Sequence, residues 1–414
     1  MSDNLHTDYP TFVTHLECSD TGETYTADEI HGLSKTGRPL LVRYDLEALQ
    51  VAISKDDLGS RAADIWRYRE FLPVRKASNI VSLGENLTPI LPLSNSEKAL
   101  GLRDNVLWVK DEGRLPTGSF KARGLVMAVS MAKELGIKRI AMPTNGNAGA
   151  ALSAYCTKAG IESYIFCPED TPDINIQETC LQGGKVFRVN GLINDCGKLV
   201  GQFKDEMNWF DLSTLKEPYR IEGKKTMGLE LAEQLNWQLP DAIFYPTGGG
   251  TGLIGMWKAF AELQAIGWLD CKLPKMFAIQ ADGCAPIVKA YEENTKHADL
   301  WQNASTAAAG IRVPVAVGDF LILNAVRESG GAALAVSEQA IENARTTVGH
   351  SDGVLLCPEG AATLAGYQKA LANDLVRDTD KVLLFNCGNG LKYPMPDTAR
   401  SVIKEAIELA DLLN

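Results

Sequence analysis

The sequence has few residues of the kinds that bind metals or form disulfide bonds. Only five histidines occur in 414 residues, and none has a second histidine or a cysteine at metal-ligand spacing or lies in a nucleophile elbow. The nine cysteines are scattered singly without a C-x-x-C pair, which is typical of a reducing compartment and argues against a disulfide framework. These absences disfavour zinc hydrolases, Ser-His-Asp hydrolases and disulfide-stapled domains.

Long apolar runs and basic clusters are also missing. No apolar stretch approaches the roughly 18 to 20 residues that cross a bilayer, and the polar residues 1–10 contain no signal-peptide core. Lys and Arg number 41 against 52 Asp and Glu, a net charge of −11, and no basic run forms the patch that nucleic acid requires. We therefore expect a cytoplasmic protein that binds neither membranes nor nucleic acid.

What the chain does contain is an alternation of strand-like and helix-like segments. With 45% apolar and 22% charged residues, it can bury a core over two or three domains. Continuous apolar runs predict strands at 106–109, 139–142, 163–166, 185–189, 242–245, 275–280 and 381–385. Helical periodicity predicts helices at 122–135, 148–159, 192–203, 224–235, 253–265, 337–348 and 363–372. This alternation indicates an α/β fold with mainly parallel strands and ligands at their carboxyl ends.

The segment 110–124, Lys-Asp-Glu-Gly-Arg-Leu-Pro-Thr-Gly-Ser-Phe-Lys-Ala-Arg-Gly, joins a predicted strand to a predicted helix. We expect Ser119 at the N-cap position and Lys121 in the first helical turn. Positive partial charge at a helix N-terminus favours the neutral amine, and a neutral lysine is the nucleophile that traps an aldehyde. For a lysine taken at random, the ordinary alternative is a surface residue after a loop.

The segment 244–255, Phe-Tyr-Pro-Thr-Gly-Gly-Gly-Thr-Gly-Leu-Ile-Gly, places a glycine-rich turn between a strand and a helix. Backbone N–H groups of such a turn can surround a phosphate at the helix N-terminus. Gly250, Gly252 and Gly255 also satisfy G-x-G-x-x-G, with Asp282 as a possible ribose acid, so a nicotinamide or flavin enzyme is an alternative. A tight strand-to-helix crossing without a ligand is another.

Two further strand ends carry polar turns. Residues 141–149, Ala-Met-Pro-Thr-Asn-Gly-Asn-Ala-Gly, could hold a carboxylate with their threonine, asparagines and amides, or could be only a capped turn. Residues 383–393, Leu-Leu-Phe-Asn-Cys-Gly-Asn-Gly-Leu-Lys-Tyr, deliver Cys387 into a glycine turn, although a small buried thiol is the ordinary interpretation of such a cysteine.

Together and in this order, the four segments resemble those of fold-type II pyridoxal phosphate enzymes, and most closely those of the threonine synthase family. The similarity covers nearly the whole chain, and Pro-Thr-Gly-Ser-Phe-Lys-x-Arg-Gly at 116–124 is its most specific motif. The resemblance implies two interleaved α/β lobes with mainly parallel twisted sheets, similar to the tryptophan synthase β subunit. It also implies pyridoxal 5'-phosphate as cofactor, a small amino acid as substrate, and a homodimer.

The resemblance assigns roles to individual residues. Lys121 would form the Schiff base, Asn147 would hydrogen-bond the ring's 3-oxygen, and Cys387 would face the pyridine nitrogen as a neutral thiol. The full set that it places around the cofactor is Phe120, Lys121, Asn147, Thr247, Gly248, Gly249, Gly250, Thr251, Gly252, Glu359 and Cys387. The set that it places around the substrate is Arg123, Thr144, Asn145, Gly146 and Ala148. No residue is assigned to a metal.

The activity that the resemblance implies is a β,γ-elimination and replacement. O-Phosphohomoserine would lose phosphate through a β,γ-unsaturated intermediate, and water would add at Cβ to give threonine. A serine or threonine dehydratase-like ammonia-lyase is the alternative, and a ligand sensor without catalytic activity is a more distant one. A substrate phosphate needs further cations, for which the sequence offers Lys110, Arg114, Arg123, Lys224 and Lys225.

Three departures from the family pattern accompany these expectations. Ala122 stands where the family usually has Asp, and Cys387 stands where it more often has Thr. Many relatives begin with a cysteine-rich zinc ribbon, of which this chain keeps only Cys18, and one thiolate cannot close a zinc site. We expect a degenerate ribbon-like module at 1–45, a large cofactor-binding domain at 46–121 and 211–414, and a small mobile domain at 122–210. An amphipathic closing helix is expected at 397–413.

Overall fold

The computed structural model of the protein describes residues 11–395, so the helix expected at 397–413 lies outside the described residues. The strands, in chain order from β1 to β13, are Val13–Cys18, Thr24–Tyr25, Leu40–Tyr44, Ile90–Pro92, Leu107–Asp111, Arg139–Pro143, Glu162–Pro168, Lys185–Val189, Phe210–Asp211, Ala242–Pro246, Lys275–Ala281, Ala333–Val336 and Val382–Asn386. The helices, from α1 to α13, are Leu46–Ala52, Lys55–Leu58, Ser94–Ala99, Lys121–Glu134, Asn147–Ala159, Asp173–Leu181, Ile193–Met207, Tyr219–Gln234, Thr251–Ala265, Pro286–Glu292, Asp319–Glu328, Glu338–Asp352 and Pro358–Ala372.

Two sheets carry the α/β architecture. The larger has the strand order β12-β11-β10-β13-β5-β4, in which every neighbouring pair is parallel except the edge pair β4–β5. The smaller has the order β8-β7-β6-β9 and is parallel throughout. Because β6 to β9 lie between β5 and β10 in the chain, the two sheets are interleaved in sequence. The predicted α/β class with mainly parallel strands is confirmed.

The seven predicted strands and seven predicted helices are all present. The largest differences are at the starts of α8 and α13, which begin at Tyr219 and Pro358, each five residues before the predicted start. The sequence analysis missed β12 in the large sheet and the short strands β4 and β9. It also placed Ser119 at the N-cap of α4, but Phe120 occupies that position and the Ser119 hydroxyl has no partner within residues 11–395.

The N-terminal residues form a small antiparallel sheet of order β2-β1-β3. Its apolar face is not independent of the rest, because Leu16 and Val42 belong to the same buried cluster as Leu125 and Val129 of α4. The Cys18 thiol donates to the Ser34 hydroxyl at 3.3 Å. Within residues 11–395 no group of three or more His, Cys, Asp or Glu side chains is placed to hold a metal ion.

No helix in residues 11–395 combines the length and the apolarity needed to span a membrane.

Helices α4 and α8 approach so closely that only glycine fits at their crossing. A Cβ atom at Gly223 would lie 2.0 Å from the Arg123 carbonyl oxygen, and one at Gly124 would lie 3.1 Å from the Arg220 carbonyl oxygen. Since Lys121 is the first residue of α4, this contact fixes the position of the predicted Schiff-base lysine.

A buried network of charges joins the same two helices to the large sheet. Arg123 forms ion pairs with Glu112 at 2.6 Å and with Glu230 at 2.7 Å, and Lys110 of β5 reaches Glu230 at 2.5 Å. All four side chains are fully buried. Buried charges are tolerated only when they are paired, so each member holds the others in place.

The helix crossing can be tested with Gly223→Ala. The new methyl group would collide with backbone rather than with a flexible side chain, so we expect a loss of about 1–3 kcal/mol in the free energy of unfolding. Gly349→Ala in α12 is the matched control, because a Cβ there meets nothing within 4 Å. The control should leave stability unchanged or raise it by about 0.5–1 kcal/mol. Denaturant unfolding of both variants gives the comparison, and equal stability of the two would contradict the close packing.

Candidate active site

A cavity of about 470 Å³ lies where the loops that follow β6, β10 and β13 converge with the start of α4. Carboxyl ends of parallel strands are the usual place for a ligand in such folds. Fourteen of the residues predicted to bind cofactor or substrate line this cavity: Phe120, Lys121, Thr144, Asn145, Gly146, Asn147, Ala148, Gly248, Gly249, Gly250, Thr251, Gly252, Glu359 and Cys387. The structure therefore brings together four segments that are far apart in sequence.

Lys121 is the amine of the cavity. Its Nζ lies 4.5 Å from the centre of the Phe120 ring, and no carboxylate within residues 11–395 forms an ion pair with it. Burial and, to a smaller extent, the Arg220 guanidinium lower the pKa of Lys121 to about 8, while Cys387 and Glu359 act in the opposite direction. A larger fraction of this amine is therefore neutral near pH 7 than for an ordinary lysine, as a nucleophile for an aldehyde requires.

The glycine-rich turn between β10 and α9 forms a cradle. Gly250 has a φ of +72°, and a Cβ atom there would lie 2.2 Å from Ile322. A Cβ at Gly248 would lie 2.9 Å from the Gly310 carbonyl oxygen. The backbone can therefore turn tightly at the N-terminus of α9, where unpaired N–H groups and the helix dipole favour an anion. Thr247 is buried and outside the cavity lining, and its hydroxyl donates to the Tyr245 carbonyl oxygen at 2.9 Å.

The turn between β6 and α5 uses its side chains to hold itself in place. The Thr144 hydroxyl accepts from the amides of Gly146 and Gly149, at 3.0 and 3.1 Å. The Asn145 amide donates to the carbonyl oxygens of Ala309 and Arg312. The first amides of α5, on Asn147 and Ala148, have no partner within residues 11–395, and they offer the anion site of a helix N-terminus.

Cys387 and Glu359 complete the floor of the cavity. Burial raises the pKa of the Cys387 thiol to about 12, so the thiol is neutral at physiological pH. The Cys387 carbonyl oxygen accepts from the Phe120 amide at 2.9 Å, which ties the last strand to the start of α4. Glu359 accepts from the Gly310 amide at 2.6 Å.

Arg123 is not a substrate-binding residue, which corrects the prediction from its place in the motif. Its guanidinium is fully buried between Glu112 and Glu230, and it does not line the cavity. The other basic residues expected to hold a substrate phosphate are also engaged elsewhere. Lys110 pairs with Glu230, Arg114 with Asp111, and Lys225 with Glu222 and Glu262, while Lys224 donates to the Phe120 carbonyl oxygen.

The sequence analysis missed the cations that do line the cavity, which are Lys198, Lys216 and Arg220. Lys198 pairs with Asp195 at 2.9 Å and Lys216 with Asp211 at 3.2 Å. Arg220 is buried, forms no ion pair within residues 11–395, and leaves its Nε without a partner. If the predicted helix had begun at Tyr219, where α8 begins, Arg220 would have been placed in its first turn. That turn follows the loop after a strand, where a ligand site is expected.

The cavity fits pyridoxal phosphate by its own chemistry. It offers a lysine with a lowered pKa for the aldehyde, a glycine cradle for the phosphate and a neutral thiol against an aromatic nitrogen. The Oδ1 atoms of Asn145 and Asn147 are buried without a partner in the described part of the chain. Buried polar atoms are normally paired, so these two indicate a polar ligand.

Comparison with known proteins decides the family. The family model described as "Pyridoxal-phosphate dependent enzyme" matches residues 81–388. The chain belongs to this family. The resemblance and the cofactor inferred from the four motifs are thereby confirmed, and the dinucleotide interpretation of Gly250, Gly252 and Gly255 is not supported. The binding roles of individual residues remain predictions.

Two curated relatives match almost the full chain. A threonine synthase of Methanocaldococcus jannaschii is 36% identical over 95% of this chain and 96% of its own length. A threonine synthase of Methanosarcina acetivorans is 34% identical over 92% of both. Among solved structures, maize serine racemase superposes with a TM-score of 0.64 at 21% identity, covering 85% of this chain and 96% of its own, which shows the fold.

The low pKa of Lys121 makes a prediction for the protein without cofactor. Its reaction with pyridoxal 5'-phosphate should require the neutral amine, so the rate should rise with pH and level off above a midpoint of about 8. Arg220→Met removes a positive charge that lowers this pKa, and the midpoint should then move upward. Stopped-flow absorbance across pH measures both. A midpoint near that of an ordinary lysine, roughly 10.4, would contradict the assigned environment.

Proposed function

We propose that the protein is a pyridoxal-phosphate dependent lyase that converts O-phosphohomoserine and water to threonine and phosphate. The observation that carries the proposal is the match to two threonine synthases at 36% and 34% identity over more than nine tenths of the chain. The cavity supports it independently, because it contains a cation, Arg220, that neither the lysine site nor the phosphate cradle uses.

The proposed roles are those of two anion-binding sites and one base. The amides at the start of α9 would hold the cofactor phosphate, and those of Asn147 and Ala148 would hold the substrate carboxylate. The bound cofactor supplies an electron sink for the carbon atoms of the substrate. Lys121 would be the base that takes the α-proton at its Nζ, for which a pKa of about 8 is suitable. A neutral Cys387 thiol at the pyridine nitrogen would not keep that nitrogen protonated, which would favour elimination and replacement over transamination.

Arg220 is the residue that we assign to the substrate phosphate. Its guanidinium lies at the cavity without an ion-pair partner in residues 11–395, whereas Lys198 and Lys216 there are paired with aspartates. Arg presents several N–H donors in a geometry that matches phosphate oxygens. This contact distinguishes a phosphorylated substrate from serine or threonine.

We propose the domain division at 1–45, at 46–121 with 211–414, and at 122–210, with the 122–210 domain closing over the substrate. Contacts across the cavity support it: Asn145 donates to Ala309 and Arg312, and Arg312 pairs with Asp170 at 2.6 Å. Closure would exclude water until it is needed at Cβ. We also propose a cytoplasmic homodimer. All nine cysteines are unpaired, in keeping with a reducing compartment.

Lys121→Ala tests the cofactor site. The purified variant should lack the visible absorbance of the bound cofactor and should form no threonine, because it has no amine to hold the aldehyde. Retention of that absorbance would show that another lysine binds the cofactor.

Substrate choice tests the reaction. The wild-type enzyme should release phosphate and form threonine from O-phosphohomoserine, and should form no keto acid or ammonia from serine or threonine. The opposite pattern would establish the dehydratase-like alternative.

Arg220→Met tests the phosphate contact. Loss of a charged hydrogen bond of about 1.5–3 kcal/mol should lower kcat/KM for O-phosphohomoserine by about 10- to 150-fold, while the cofactor stays bound. Arg114→Met is the control, because Arg114 is exposed and pairs with Asp111 outside the cavity. Steady-state kinetics and the cofactor spectrum of both variants distinguish the effects. An unchanged kcat/KM in Arg220→Met would place the substrate phosphate elsewhere.

A further inference from the structure

Tyr393 is a cavity residue to which the proposed reaction gives no task. It follows the last 3₁₀ turn, Gly390–Lys392, on the loop that also carries Cys387. Its side chain is buried, with 6% of its surface exposed, and it lines the cavity. Two residues of the same loop, Cys387 and Tyr393, therefore line the cavity, although they are six residues apart.

The phenol meets two predicted cofactor residues. Asn147 Nδ2 donates to Tyr393 Oη at 2.9 Å. The Glu359 carboxylate lies beside the phenol, and burial together with this negative charge raises the pKa of Tyr393 far above its usual range. The phenol thus stays protonated, and its oxygen accepts from Asn147.

The segment before Tyr393 is held on both sides of the cavity. Lys392 Nζ forms an ion pair with Glu178 of α6 at 2.6 Å and donates to the Thr117 carbonyl oxygen at 2.7 Å. The Lys392 carbonyl oxygen accepts from Asn175 Nδ2 at 3.3 Å. These contacts hold Tyr393 in place, so it can fix the position of the Asn147 side chain that it contacts.

Asn147 needs such an orientation because its amide has two different ends. One N–H is taken by Tyr393, and the Oδ1 atom is buried without a partner within residues 11–395. In the structure the Nδ2 end of the amide is the end that meets the phenol. The contact with Tyr393 therefore sets the position of the carboxamide, with its second N–H available to a ligand in the cavity.

We propose that Tyr393 is a positioning residue that holds the Asn147 carboxamide so that its second N–H faces the 3-oxygen of the cofactor. This inference rests on the proposed function, since it assumes that Asn147 adjoins the cofactor ring. The hydrogen bond to the 3-oxygen affects both the affinity for the cofactor and the electronic absorption of its conjugated ring.

The test uses Tyr393→Phe, which keeps the ring and removes only the hydroxyl. Titration of the cofactor-free protein with pyridoxal 5'-phosphate should show an affinity about 3- to 10-fold lower than that of the wild type, as expected for one lost hydrogen bond. The absorption spectrum of the bound cofactor should change in band position or in the ratio of its bands. Tyr367→Phe is the matched control, because Tyr367 is fully buried in the large-sheet core and its hydroxyl has no partner in the described residues. It should match the wild type in both measurements.

A second step asks whether Tyr393 acts through Asn147. In an Asn147→Ala background, Tyr393→Phe should add no further loss of affinity and no further spectral change. Independent, additive effects would overturn the inference. So would a Tyr393→Phe protein that only melts at a lower temperature while keeping the wild-type affinity and spectrum, because that result indicates a purely structural role. If the wild-type protein itself shows no absorbance with pyridoxal 5'-phosphate, the cofactor site fails instead, which separates the two failures.

Discussion

The place of Lys121 depends on the contact between helices α4 and α8. Gly124 and Gly223 let the two helices approach backbone to backbone. The buried Arg123 of α4 pairs with Glu112 and with Glu230 of α8. Removal of one partner from such a buried ion pair typically costs about 3–5 kcal/mol, since the other charge is left uncompensated. The Lys121 amine is therefore attached to a tightly packed part of the molecule, so its position does not depend on the loops that line the cavity.

The local geometry of the cavity favours anions, although the whole chain carries a net charge of −11. Two helix N-termini, those of α5 and α9, meet at the cavity from different sheets, and each offers amides without intrahelical partners. Arg220, which lines the same cavity, adds a positive charge. Under the proposed function, one cavity would offer separate sites for a carboxylate, a cofactor phosphate and a substrate phosphate.

The sequence predicted the fold and most of the cavity because both depend on local patterns. Apolar runs and glycine turns mark strand ends, and parallel topology brings those ends together, so the lysine, glycine and asparagine segments could be found without coordinates. The direction that a long side chain takes, by contrast, depends on tertiary packing and not on the local sequence pattern. Arg123 follows the lysine by two residues yet turns into the core, whereas Arg220 reaches the cavity from a helix whose start was predicted five residues too late. Tyr393 acquires its partner Asn147 only through tertiary contact.

The central claim is that Lys121 holds the cofactor, and a covalent map tests it most directly. The enzyme loaded with pyridoxal 5'-phosphate is reduced with borohydride, digested, and the modified lysine is located by mass spectrometry. Lys224 is the informative competitor, since its buried amine also lies against the Phe120 ring, 3.9 Å from its centre. The account predicts the modification on Lys121 alone. A modification on Lys224, or on no lysine of the cavity, would contradict it.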